Sequence, residues 1–148
     1  GLKKLFEKII IVTNSPRQYR NLKDIKIISD IVPNSGPLGG IFSGLLSSED
    51  DYNFVVACDM PFINPRLIKY MLKKKDGFDA VAPCIKKRYE TLFGVYSRNC
   101  LPAIVESLKK CDLRVKHIFS RIKLREISEK EILKFGNPKI LFMNINTK

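Results

Sequence analysis

Asn53-Phe54-Val55-Val56-Ala57-Cys58-Asp59-Met60-Pro61-Phe62-Ile63-Asn64-Pro65 is the stretch on which the fold turns. Asn53–Cys58 is the clearest strand in the chain. Asp59-Met60-Pro61 breaks it. Asn64 is a good N-cap and Pro65 a good first helical residue, so a helix follows to about Lys75. A strand, a polar exit and a helix in succession, repeated along the chain, predict an α/β protein with a mostly parallel sheet.

The alternation continues on both sides. Upstream, Ile9–Thr13 and Lys26–Ser29 read as strands, and Pro37 opens an apolar helical segment through Leu46. Downstream, Asp79–Pro83 and Thr91–Ser97 read as strands around a basic loop, Lys86–Arg88. Helices are predicted at Arg98–Lys110 and Val115–Ile122, then a strand at Leu124–Ile127. Ser128-Glu129-Lys130-Glu131 has the form of a capping box. Leu141–Met143 is a last apolar stretch before Asn144-Ile145-Asn146-Thr147. No repeat or linker divides the chain, so residues 1–148 are expected to form one domain.

Composition closes several functional classes. The chain has 148 residues, 45% hydrophobic and 28% charged, with four cysteines and one histidine. Cys58, Cys84, Cys100 and Cys111 show no C-x-x-C spacing and no histidine partner, which argues against zinc and against a Cys–His nucleophile. Scattered thiols suit a reducing cytoplasm. Serine catalysis must rest on His117 alone, with no nucleophile-elbow sequence to meet it. The longest uncharged stretch, between Asp30 and Glu49, holds Pro33, Asn34, Gly36, Pro37, Gly39 and Gly40, so it is not a membrane span. Lys and Arg exceed Asp and Glu to give +12, which favours anionic partners. The basic clusters lack interleaved aromatics and any base-reading motif, so nucleic acid is not the expected partner.

In sheets of this type ligands bind beyond the carboxyl ends of strands. Asn14, Asp30, Asp59 and Asn144 stand there. Asp59 either holds Mg²⁺, a hard cation that takes one or two carboxylates plus phosphate oxygens, or turns the chain before Pro61. Asp30 has the same two readings. Asn14 either bonds a base or ribose or belongs to a plain Asn-Ser-Pro turn. In Gly36-Pro37-Leu38-Gly39-Gly40, Gly36 permits close backbone approach, and the helix N-terminus offers free amides to an anion. Gly39, Gly40 and Gly44 could equally serve close helix packing.

Gly36-Pro-Leu-Gly-Gly, Phe54-Val-Val-Ala-Cys-Asp-Met-Pro-Phe62 and Phe142-Met-Asn-Ile-Asn-Thr147, in this order, resemble the MobA-like molybdenum cofactor guanylyltransferases. Ile11-Val-Thr-Asn14 and Tyr89-Glu-Thr-Leu-Phe-Gly-Val-Tyr96 add support, and the resemblance spans the chain. It implies a Rossmann-like, mostly parallel sheet with helices on both faces, of the nucleotide-diphospho-sugar transferase type. It implies transfer of GMP from GTP to molybdopterin, with Mg²⁺ and release of pyrophosphate. Asp59 then is the metal ligand and catalytic residue. Asn14 and Asp30 become nucleotide-pocket residues, while Gly36, Gly40, Asn144 and Asn146 face the substrate. Family members hand their product to molybdoenzymes. The alternatives are a CTP-using or other small-acceptor relative, and a non-catalytic nucleotide-binding one.

The family opens with a strand and a glycine-rich loop carrying an arginine and a lysine, and nothing upstream of Leu2 matches them. Gly1–Lys8 reads as the end of the helix after that loop. About 35 further residues are therefore expected to precede the sequence, on the scale of half a βαβ unit or more.

Overall fold

Strands and helices alternate as the sequence predicts in the computed structural model, which describes residues 5–13, 25–60 and 62–143. The strands are β1 (Ile9–Val12), β2 (Ile25–Ile28), β3 (Tyr52–Val56), β4 (Ala80–Ile85), β5 (Arg88–Tyr89), β6 (Phe93–Ser97) and β7 (Leu124–Ser128). The helices are α1 (Gly36–Ser47), α2 (Pro65–Lys73), α3 (Leu101–Lys109), α4 (Glu129–Ile132) and α5 (Pro138–Leu141). β1 and β2 pair in parallel. The second sheet places β6 antiparallel between β3 and β4, with β7 parallel to β4 and β5 antiparallel to it.

Strand direction is fixed by α1. Lys8, just before β1, pairs with Glu49 beyond the end of α1 at 3.1 Å. Lys26, in β2, reaches the Ser47 carbonyl at 3.4 Å. β3 starts close behind, at Tyr52. The starts of β1, β2 and β3 thus gather at one end of α1, and β4 and β7 run the same way as β3. Only β5 and β6 oppose them.

Side-chain alternation divides the core in two. Ala80, Ala82 and Tyr96 face α1 and α3, meeting Leu38, Ile41, Leu45 and Ile104. Val81, Phe93, Val95 and Ile127 face the other way, onto Leu67, Ile68 and Met71 of α2 and onto Ile132, Leu141 and Phe142. Helices therefore cover both faces. Gly94 is required where β6 meets β4, because a Cβ there would lie 2.8 Å from the Val81 carbonyl oxygen.

Two helix starts follow their predicted caps. Asn64 accepts from the Leu67 amide at 3.0 Å. Ser128 and Glu131 form the reciprocal capping box. Three expectations need correction. Leu5–Lys8 forms a turn and bend rather than the end of a helix, because Phe6 stacks on Phe54 at 5.9 Å and leads the chain straight into β1. Val115–Arg121 is a 3₁₀ helix, whose three-residue turn buries Val115 and Ile118 together. Arg98–Cys100 is likewise a 3₁₀ turn, and the α-helix begins only at Leu101, ahead of Pro102.

Glu131 joins α4 to the sheet and to α2. It takes Arg125 of β7 at 2.8 Å and the Tyr70 hydroxyl at 2.6 Å. The Arg125 guanidinium, chiefly, holds its carboxyl down at about 2, against 4.5 for an ordinary glutamate. This contribution to stability is complete above the ordinary value and is lost as the pH falls towards 2. Glu131→Gln is expected to lower stability by about 1.5–3 kcal/mol at neutral pH. The gap to wild type should close on acidification, and urea unfolding at pH 7 and pH 3 tests it: an equal gap at both values would exclude this ion pair as the source.

Candidate functional site

β1 and β3 each use one edge for a neighbour and turn the other towards a cavity of about 430 Å³, roofed by α1. The direction of the backbone groups follows from the ladder. The Thr13 amide bonds Ile28, and the Ala57 amide bonds Leu92 across from β3. Backbone N–H and C=O alternate sides along a strand. Ile10 and Val12 of β1, and Phe54 and Val56 of β3, therefore aim theirs into the cavity. Among the described residues no strand pairs with either edge.

Asp59 sits at the carboxyl end of this gap. A turn closed by the Met60 amide on the Ala57 carbonyl, at 3.4 Å, carries it past the end of β3. Asn64, not Asp59, caps α2, and the Asp59 carboxylate makes no hydrogen bond or ion pair among the described residues. The turn is made by backbone groups, which leaves the side chain available. No group of three or more His, Cys, Asp or Glu side chains among the described residues could form a metal cluster. A lone, unengaged, hard carboxylate fits Mg²⁺ whose other ligands are phosphate oxygens and water.

Asp30 ends β2 at the same edge of the sheet but is engaged. Its Oδ1 accepts from the Val32 amide at 3.1 Å and from the Ser43 hydroxyl at 3.0 Å, while Ser43 accepts from the Ile31 amide at 2.8 Å. Asp30 thus fastens the loop before α1 onto the helix. That loop delivers Gly36 in the left-handed region (φ +57°), where a Cβ is strained, with open space beyond it. Gly40 also faces open space and lines the cavity, so helix packing does not explain it. Gly39 is packed against Ser35 and Val32 of its own loop, and only Gly44 faces β1, 3.8 Å from Val12. No side chain caps the start of α1, a twelve-residue helix.

Asn14, Asn144 and Asn146 lie outside the described residues. The chain approaching Asn144 is well anchored, since Phe142 packs on Phe93 at 5.2 Å, in the cluster that buries Met60 next to Asp59. Two of the four thiols, Cys84 and Cys100, are not poised for chemistry, while Cys58 and Cys111 are exposed. Burial pushes Cys100 up to about 12, and chiefly burial raises Cys84.

Sequence reasoning missed one feature. Residues 86–88 are not a loop: Ile85 pairs with Arg88 across a two-residue hairpin. Lys86 and Lys87 both have positive φ, 50° and 66°. Such turns ordinarily carry Asn-Gly, so two lysines give no hairpin signal. Beside this hairpin Glu90 keeps its backbone on β4, its amide bonding the Pro83 carbonyl at 3.0 Å. Its carboxyl is raised by burial.

An α/β sheet with helices on both faces, and with a free carboxylate and an uncapped helix N-terminus at the carboxyl ends of its strands, has the form of a nucleotide-handling domain. Residues 1–125 match the family model described as the MobA-like NTP transferase domain, and the chain belongs to that family. It is 34% identical over 148 residues to the molybdenum cofactor guanylyltransferase of Desulfosudis oleivorans, covering 99% of this chain and 73% of the relative. Among solved structures, molybdopterin-guanine dinucleotide biosynthesis protein A of Archaeoglobus fulgidus superposes with a TM-score of 0.80 at 24% identity, covering 99% of this chain and 76% of that one. The 4-diphosphocytidyl-2C-methyl-D-erythritol synthase of Anaerococcus prevotii superposes at 0.68 with 11% identity, over 98% and 75%. These two structural likenesses speak for the fold alone. No helix among the described residues is long and apolar enough to cross a membrane.

The hairpin geometry carries its own test. Left-handed backbone at a residue with a Cβ costs about 1–2 kcal/mol. Replacing Lys86→Asn together with Lys87→Gly is expected to raise the urea midpoint, by a stability gain of about 1 kcal/mol or more. An unchanged or lower midpoint would show the turn to be unstrained.

Proposed function

We propose that this protein transfers GMP from GTP to molybdopterin. A terminal phosphate oxygen of molybdopterin attacks the α-phosphorus of GTP, a new P–O bond forms, and the bond to the β-phosphate breaks to release pyrophosphate. The observation that carries this reading is the unengaged Asp59 carboxylate at the end of β3, in a chain of the MobA-like family. Such a displacement asks for in-line positioning and neutralised charge rather than a covalent nucleophile.

Asp59 is the residue that holds Mg²⁺, which supplies neutralisation of phosphate charge when bound. The open amides at the start of α1 meet a phosphate, with Gly36 and Gly40 leaving room for it. Asp30 positions that loop, and its second carboxylate oxygen remains for the nucleotide. Asn14 completes the nucleotide pocket, and Asn144 and Asn146 serve the transferred phosphate or the pterin. The reaction belongs in the cytoplasm, and the product passes to molybdoenzymes.

The cavity between β1 and β3 has a place in this reading. Unpaired backbone groups shielded from water are costly, and two facing strand edges call for a strand between them. That strand comes from a segment preceding Gly1 and ends in the loop that holds the triphosphate. The backbone amides of Ile10, Val12, Phe54 and Val56 should exchange slowly with deuterium in protein extended upstream of Gly1, and rapidly in the 148-residue chain. Equally fast exchange in both would reject the inserted strand.

Asp59→Asn keeps the size of the side chain and removes its charge. In the extended protein it should cut Mg²⁺-dependent guanylyl transfer by about a hundredfold or more while leaving the melting temperature unchanged. Full activity in this variant would refute the assignment. With Mg²⁺ present, GTP should raise the melting temperature of wild type more than CTP or ATP does. A clear preference for CTP would replace the guanylyl reading by a cytidylyl one.

A further inference from the structure

A second cavity, of about 420 Å³, lies between the β4–β5 hairpin and the α4–α5 segment. It is within the size range of small-molecule sites, about 300–1,000 Å³. It too stands at the carboxyl edge, beyond the ends of β4 and β7. β6 separates β4 from β3, so the hairpin lies about 10 Å along the sheet from the strand that carries Asp59.

The lining brings unpartnered charges of both signs together. Lys86 and Arg88 project from the hairpin and Lys139 from α5, with Leu133 as an apolar wall. None of the three cations makes an ion pair among the described residues. Some lysines elsewhere are engaged, Lys110 with Glu106, Lys74 over the Tyr70 ring and Lys75 over the Tyr52 ring. Glu90 and Glu129 line the same groove, and neither carboxylate accepts a hydrogen bond there. Glu90 is half-buried, and burial raises its carboxyl above the ordinary range. A carboxylate sheltered from water and left without a donor awaits one. The left-handed backbone at Lys86 and Lys87 is the kind of local strain that clusters at ligand sites.

We propose that this groove is the acceptor subsite, where Glu90 takes the N–H edge of a pterin ring and Arg88, with Lys86 and Lys139, faces the acceptor's phosphate. The proposal deepens the transferase reading and rests on it. A 2-amino-4-oxo-pyrimidine edge offers two adjacent N–H donors, which one carboxylate meets with two parallel hydrogen bonds. The phosphate meets the cations. Guanine carries the same edge. The groove is assigned to the acceptor because it lies two strands away from β3, whereas the uncapped α1 terminus and Asp59 flank the cavity beside β1.

The test is fluorescence titration of full-length protein with neopterin monophosphate, unphosphorylated neopterin and, separately, GTP with Mg²⁺. Wild type should bind neopterin monophosphate more tightly than neopterin. Glu90→Gln should weaken both pterins about tenfold or more, and Arg88→Ala should weaken only the phosphorylated one, about threefold or more. GTP affinity should be unchanged in both variants. No binding of neopterin monophosphate by wild type at millimolar concentration would overturn the proposal. So would wild-type pterin affinity in a Glu90→Gln protein of unchanged melting temperature, or a loss that falls on GTP instead. The two readings fail separately. Glu90-dependent pterin binding without guanylyl transfer to any acceptor would leave the subsite and remove the transferase, whereas transfer indifferent to Glu90 would do the reverse.

Discussion

Helix α1 holds together two sheets that share no ladder hydrogen bond among the described residues. Its apolar side enters the core of the larger sheet through Leu38, Ile41 and Leu45, while Gly44 lies against Val12 of β1. Its far end is pinned by the Arg98 guanidinium, which donates to the carbonyls of Leu45 and Ser48 at 2.7 Å each. Because both sheets depend on one helix, the geometry at its start is inherited by everything at the carboxyl edge. Ser43, two residues before the core residue Leu45, reaches back to Asp30 and sets the loop that presents Gly36. The polar residue that ends β2 and the open helix terminus are thus parts of one hydrogen-bonded unit. A nucleotide contact at Asp30 comes second to that mechanical task.

Much of this was legible from local chemistry. Asn64-Pro65 and Ser128–Glu131 state helix starts through side chains that satisfy specific amides, and they do so in the structure. The run before Asp59 could scarcely be anything except a strand, although every residue of β3 is only part-buried. What escaped reading were features set by distant contacts. The hairpin at Lys86–Lys87 exists because β4 already has a partner at Ile85↔Arg88, not because lysines favour positive φ. The opposed direction of β6 is fixed by its pairing with β3 and β4 on either side, which no residue within Phe93–Ser97 encodes. The turn at Leu5–Lys8 depends on Phe6 finding Phe54, nearly fifty residues away. For the site, residue type and strand end singled out Asp59 as a candidate, whereas Glu90 stood only within the Tyr89–Tyr96 stretch with no role of its own. It becomes noticeable only once the fold shelters it beside unpaired cations.

The net charge of +12 gains meaning in the same way. Spread over the sequence it suggests only a general liking for anions. In the fold, part of it is absorbed internally, since Arg125 is committed to Glu131 and Arg121 to Glu106 at 3.2 Å. Part of the charge that remains near the carboxyl edge sits on the β4–β5 hairpin and on Lys139. A sheet whose strand ends carry carboxylates needs such cations nearby if it is to admit phosphates without repelling them.

Two carboxylates at one edge also divide their work by environment. Asp59 stands on an open turn, without a hydrogen-bond or ion-pair partner among the described residues, where its carboxylate is open to a cation. Glu90 is half-buried behind the hairpin, where solvent no longer stabilises its charge as fully and a donor edge is worth more than it would be in water. Similar side chains are thereby suited to different partners, a hydrated metal ion in one case and a planar heterocycle in the other. β6, the antiparallel strand between β3 and β4, sets the spacing between them. It is the element whose direction no local motif announces, and on this reading it fixes how far apart metal and acceptor ring can lie.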